Sequence, residues 1–142
     1  MSSALYWYAV SSVVLFVKML FVSNYQAYYR LTTKTFVNPE DARTFGKGTA
    51  AAAELPPVAR AANVWRNDVE NIPIFLALGV AYVMVGASER AAAWYFVGFT
   101  LSRIAHTASY LGGLQPWRTI SYTVGILCLI GMSVNILLHT VL

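Results

Sequence analysis

Two of the connections in this chain are only four residues long, Gly86-Ala87-Ser88-Glu89 and Gly112-Gly113-Leu114-Gln115, and each joins two long apolar stretches. Apolar runs tied so closely have one helical solution, in which neighbouring helices run antiparallel and side by side. The stretches cover about 5–31, 57–85, 90–111 and 116–141, each near the roughly 20 apolar residues that cross a bilayer. A chain of 142 residues has room for four such spans and little else, so residues 1–142 are expected to form a single membrane domain. Composition agrees: 58% of residues are hydrophobic and 11% charged, where soluble domains carry about 25% charged residues. The expected fold is all-α and integral to the membrane, an up-down four-helix transmembrane bundle. Met1-Ser2-Ser3-Ala4 has no basic n-region and no small-residue cleavage site, so the first stretch is expected to stay as a span.

The net charge of +4 does not point to nucleic acid, because the basic residues are scattered and Lys18 sits inside an apolar run. Charge instead reports topology. Arg30, Lys34, Arg43, Lys47 and Arg60 belong to the first connection or its helix ends and Arg118 flanks the third, whereas the opposite side has only Arg90. By the positive-inside rule the polar connection 32–56 faces the cytoplasm. The membrane is expected to be a bacterial inner membrane or the endoplasmic reticulum, crossed several times. Tyr6, Trp7, Tyr8, Trp94 and Tyr95 are expected to form an aromatic belt at the far interface. Cys128 is the single cysteine and sits in an apolar run, which makes it a packing residue and excludes an internal disulfide.

Ionisable groups inside spans are costly and mark function by default. On span two, Asn63, Arg66, Asn67 and Glu70 fall within an arc of about 100°, with Asp68 pointing elsewhere. Arg103, His106 and Tyr110 share an arc of about 60° on span three. Span four opens with Arg118 and Thr119 and places Tyr122 one turn later. Three helices thus bring arginine and neutral hydrogen-bonding groups to a similar depth, a concave positive site open to the cytoplasm. Arginines suit carboxylates, which they grip with two parallel bonds, and Glu70 suits an ammonium group. A small zwitterion with several carboxylates fits better than a metal, since His106 and His139 are far apart and no cysteine cluster exists. Asp68 with Arg103, or Lys18 with Glu70, are the available structural ion pairs.

Three segments in register are familiar: Phe36-Val37-Asn38-Pro39-Glu40-Asp41-Ala42, Arg66-Asn67-Asp68-Val69-Glu70-Asn71-Ile72-Pro73, and Arg103-Ile104-Ala105-His106-Thr107-Ala108-Ser109-Tyr110 followed by Pro116-Trp117-Arg118. The chain resembles the MAPEG superfamily, the membrane-associated proteins of eicosanoid and glutathione metabolism, most closely its microsomal glutathione transferase and prostaglandin E synthase branch. The resemblance implies a homotrimer with one glutathione at each subunit boundary. Arg30 would come from one subunit and Arg66, Asn67, Glu70, His106, Tyr110, Arg118, Tyr122 and Thr123 from its neighbour.

The implied chemistry is a glutathione-dependent transferase or peroxidase. Arg118 would hold the thiol as thiolate and Thr119 would assist, and the attack would fall on an apolar electrophile or lipid hydroperoxide entering from the bilayer. A synthase-like isomerase and a non-catalytic lipid-binding scaffold are the alternatives within the superfamily. A small transporter is the alternative outside it, disfavoured by the absence of an internal repeat. The family pattern carries Glu, Arg and His where this chain has Ala59, Asn63 and Trp65. Asp41 matches an aspartate invoked for the synthase, but Asn38-Pro39-Glu40-Asp41 also has the form of a turn and helix cap.

Overall fold

Serines open two of the helices. Ser2 Oγ accepts from the Leu5 N–H at 3.2 Å, and Ser88 Oγ accepts from Ala91 N–H at 3.4 Å, each satisfying an otherwise orphan donor of a first turn. The structure, a computed structural model, describes residues 2–141, and no strand occurs among them. The helices are α1 (Ser3–Thr33), α2 (Pro39–Thr44), α3 (Pro56–Met84), α4 (Glu89–Leu111) and α5 (Trp117–Val141). The four long helices lie over the four apolar stretches to within about two residues at either end. The polar connection 32–56 contains the short α2, which has Pro39 in its first turn. Asn38 precedes α2 without a side-chain cap bond; its amide instead donates to Asp41 Oδ2 at 3.1 Å.

Sequence neighbours among the long helices pair in opposite directions. Tyr8 hydroxyl on α1 donates to the Leu76 carbonyl at 3.3 Å, and further along Lys18 pairs with Asp68. Phe75 stacks flat on Phe99 with centroids 4.4 Å apart, while Tyr82 meets Phe96 at 5.5 Å. On α5, Gly125 faces Ser102 and Arg103 and Gly131 faces Tyr95. Each rise along one helix matches a descent along the next, as the four-residue links require.

Helices α3 and α4 are central. α1 packs on both and α5 chiefly on α4, and among the described residues α1 and α5 do not touch. This arrangement explains the distribution of apolar side chains. On α1 only the stripe Ala4, Ser11, Leu15, Lys18 and Val22 is buried, while Phe16, Val17, Leu20 and Phe21 are exposed. α5 likewise exposes Leu127, Ile130, Val134 and Leu137. A contiguous apolar surface of this extent is incompatible with water and calls for lipid or another chain. Among the described residues these two outer helices are the two that are long and apolar enough to cross a membrane; α3 and α4 carry Asp68 and Arg103 into the interior.

The core is aromatic at one end, around Phe75, Tyr82, Phe96 and Phe99, and aliphatic at the other, around Val22, Ala61 and Val64. The expected aromatic belt divides accordingly. Tyr6 and Trp94 are exposed, but Trp7, Tyr8 and Tyr95 pack against the core. Tyr8 lies inward because it fills the space above Gly79, between Phe75 and Phe96.

Candidate functional site

The start of α5 places Arg118 in the first helical turn, where its side chain reaches back across the link to α4. Its guanidinium carbon lies 4.7 Å from the centroid of Tyr110, within cation–π range. Gln115 holds it from the other direction. With its amide oxygen toward Arg118, Gln115 accepts from Nη2 at 2.6 Å and Nε at 3.1 Å, and its nitrogen donates to Thr119 Oγ1 at 3.2 Å. That orientation satisfies both ends of the amide. Nη1 of Arg118 has no partner among the described residues, so the guanidinium is fixed in place with donors to spare.

Tyr110 leads to a chain of rings. His106, buried on α4, sits 5.7 Å from Tyr110 and 6.3 Å from Tyr122 on α5. Tyr122 in turn lies with its centroid 5.5 Å from the guanidinium carbon of Arg103. Arg103 is fully buried, and its Nη1 donates to Asn67 Oδ1 at 2.8 Å. The helical spacing 103, 106, 110 on α4 and 118, 122 on α5 is what aligns these groups, since residues three and four apart stand over one another. The structure therefore brings Asn67, His106, Tyr110, Arg118, Thr119 and Tyr122 into one linked cluster.

The remaining expected residues are placed differently. Arg66, Glu70 and Thr123 are exposed, with no hydrogen bond or ion pair to the described residues. Arg30, at the end of α1, is gripped by Glu54, with Nη2 to Oε1 at 2.5 Å and Nε to Oε2 at 3.4 Å. The ion pairs differ from those expected. Lys18 pairs with Asp68, not Glu70, and Arg103 bonds Asn67, not Asp68. Glu70 lies on the outer face of α3, whereas Asp68 shares the buried face with Ala61, Val64 and Phe75, which turns it toward Lys18 in the buried stripe of α1. The site is accordingly no closed cavity within one chain. The grooves that line the helices are apolar, one of about 590 Å³ between α4 and α5 and one between α1 and α4, and Arg66, Glu70 and Arg118 line neither.

Glu54 and Gln115 lie outside the residues that the sequence singles out. Gln115 has only a weak local signal, its closeness in sequence to Arg118 and Thr119: it lies in the turn before α5 and outside the helical repeat. Glu54 has none: it contacts Arg30 only through the path of the long connection. Chemically, the cluster offers fixed cationic donors beside aromatic faces and hydroxyls, an arrangement suited to an anionic ligand.

Comparison with known proteins agrees with the segments singled out in the sequence. The MAPEG family model matches residues 8–138. Microsomal glutathione S-transferase 1 of Homo sapiens is 39% identical over 134 residues, covering 92% of this chain and 86% of that protein. Prostaglandin E synthase of Homo sapiens is 38% identical over 137 residues, covering 96% and 90%. The transferase of Rattus norvegicus is 38% identical over 128 residues, covering 87% and 83%. A match reaching from α1 to α5, with relatives aligned along most of its length, means that the chain belongs to the MAPEG family.

Proposed function

We propose that this chain is a glutathione-dependent membrane transferase or peroxidase. In this reading it is one domain that crosses the bilayer four times as an up-down bundle and assembles as a homotrimer, with the site toward the cytoplasm. The observation that carries it is Arg118, held between Tyr110 and Gln115 with Nη1 open, in a chain whose relatives are named for glutathione transfer and prostaglandin E synthesis. The exposed polar face of α3, with Arg66 and Glu70 uncovered, and the exposed apolar flanks of α1 and α5 support a site completed by a second copy in lipid.

Glutathione has two carboxylates and one ammonium group. Arg66 and the neighbouring subunit's counterpart of Arg30 suit the carboxylates, Glu70 suits the ammonium, and Asn67, His106, Tyr110, Tyr122 and Thr123 complete the cradle. A free thiol has a pKa of about 8.5, and an adjacent cation lowers it. Water would take the thiol proton while Arg118 stabilises and holds the thiolate, aided by the positive end of α5. Thr119, placed by Gln115, would add a hydroxyl donor. The thiolate then attacks an apolar electrophile arriving from the bilayer, forming a carbon–sulfur bond as the leaving group departs with its electron pair.

The test is glutathione conjugation to an apolar aryl halide by purified protein in detergent, wild type beside Arg118→Ala. Loss of thiolate absorbance and a fall in turnover of about 10²- to 10³-fold are expected, the usual effect of removing one charge-stabilising donor. Unchanged turnover would overturn the role given to Arg118. An isomerase acting on an endoperoxide is the second reading, favoured by the comparable similarity to prostaglandin E synthase. Glutathione binding without turnover on either substrate class would instead indicate a lipid-binding scaffold.

A further inference from the structure

Arg103 is the largest fully buried side chain among the described residues, and its charge has no counter-ion of its own. The pair Lys18–Asp68 beside it is already neutral, so Arg103 leaves this interior with an excess positive charge. Burying a guanidinium is expensive, and a well-packed apolar side chain of similar size is commonly as stable or more so. Its Nε and Nη2 have no hydrogen-bond partner among the described residues, a further cost. What the guanidinium does accomplish is contact with three other groups, one of them the Phe99 ring of the core, whose centroid lies 5.5 Å from the guanidinium carbon. Nη1 donates to Asn67 Oδ1 at 2.8 Å, and the guanidinium carbon lies 5.5 Å from the ring centroid of Tyr122.

A notch in α5 makes this possible. A Cβ on Gly125 would stand 2.8 Å from Arg103 Nη2 and 2.7 Å from Ser102 Oγ, so any side chain there would push the guanidinium from its place against α5. With its oxygen accepting from Arg103, the Asn67 amide is oriented so that its nitrogen, a donor, is the end turned away from the guanidinium. Tyr122 is 38% exposed, and Arg103 and His106 of α4 both lie against its ring, which limits how far it can swing toward α4.

We infer that Arg103, seated in the Gly125 notch, is a positioning residue for the anion-binding site. It sets the Asn67 amide donor-outward and holds the Tyr122 ring, so that both present donors to a carboxylate-bearing thiol. The inference rests on the glutathione reading above and assigns Arg103 no contact with ligand or reacting atoms. It also accounts for the unusual interior: beyond its contact with the Phe99 ring, the guanidinium forms no ion pair among the described residues and meets two neutral groups of the site.

The experiment is glutathione binding and steady-state kinetics of the full chain in detergent for wild type, Arg103→Lys, Gly125→Ala, Asn67→Ala and the double variant Asn67→Ala with Arg103→Lys. Arg103→Lys keeps the charge but loses the planar fork, and Gly125→Ala keeps both side chains but displaces the guanidinium. Each is expected to raise Kd and KM for glutathione about tenfold, the effect of one lost hydrogen bond to a charged ligand, with kcat falling less than KM rises. The double variant should bind worse than Asn67→Ala alone by clearly less than the full Arg103→Lys factor, because part of that factor acts through the Asn67 amide and only the part through Tyr122 is left. A merely structural role would lower the folded fraction, and hence the apparent turnover, without moving KM. Unchanged Kd in a folded Arg103→Lys or Gly125→Ala, or effects that multiply in the double variant, would overturn the inference. Gly125→Ala keeps it falsifiable if Arg103→Lys does not fold. Failure of the wild type itself to bind glutathione would overturn the functional reading and this inference with it, whereas normal wild-type binding with unaltered variants overturns this inference alone.

Discussion

Removing the buried anion Asp68 should harm this protein more than removing the cation that pairs with it. Asp68 is fully buried and Lys18 nearly so, their side chains 0% and 6% exposed. Breaking a buried pair by deleting one partner typically costs about 3–5 kcal/mol, because a lone charge is left out of water. Here the two deletions are unequal because Arg103, also buried, acts on Asp68 through space. Lys18, Arg103 and Asp68 together carry one excess positive charge. Asp68→Asn leaves two cations and no anion, so it should cost the full amount, about 3–5 kcal/mol. Lys18→Met leaves Asp68 with Arg103, a neutral remainder, and should cost about 1–3 kcal/mol, the cost of a buried acceptor that loses its hydrogen bond. At about 2–4 °C per kcal/mol for a chain near this size, Tm should fall by roughly 10 °C or more for Asp68→Asn and roughly 5 °C for Lys18→Met. Helical circular dichroism against temperature in detergent measures both. A loss for Lys18→Met equal to or larger than that for Asp68→Asn would refute the reasoning, since Arg103 would then not serve as the second cation of the cluster.

Two further outcomes follow from single contacts. A Cβ on Gly79 would stand 2.5 Å from the Tyr8 ring, and that ring is hemmed in by Phe75 and Phe96 and bonded through its hydroxyl to the Leu76 carbonyl. Gly79→Ala should therefore cost about 1–3 kcal/mol as an overpacked core, and an unchanged Tm in the same assay would show that Tyr8 has room to yield. Glu54 occupies the Arg30 guanidinium with both oxygens and competes with any ligand carboxylate there. Partly exposed pairs are worth about 0.2–1 kcal/mol, so Glu54→Gln should lower KM for glutathione by a factor of about 1.4 to 5; a KM that stays the same or rises would remove Arg30 from the site.

Much of the helical layout is legible in the residues alone. Long apolar runs set where the helices lie, and four-residue links set their opposite directions, because both are properties of the local chain. The buried face of α3 is legible too: Ala61, Val64, Asp68 and Phe75 recur at helical spacing, and an aspartate embedded in that apolar stripe must face inward. The pairing of Lys18 is less accessible. Choosing between Asp68 and Glu70 requires the rotation of α1 against α3, and two residues along a helix swing a side chain about 200°.

The residues of the candidate site divide along the same line. Spacing alone puts His106 over Arg103 and Tyr110, and Tyr122 over Arg118, for these are neighbours on one helix. It does not disclose that Arg103 reaches Asn67 and Tyr122 by lying in the Gly125 notch, that Gln115 anchors Arg118, or that Glu54 closes on Arg30.

The sequence by itself determined the class of protein, the number and direction of its long helices, and which residues share a face, because hydropathy, link length and helical period act over a few residues at a time. The tertiary structure decided which charged group meets which. Those meetings depend on the axial offset and rotation between helices, where a shift of one turn, about 5.4 Å, exchanges one partner for another.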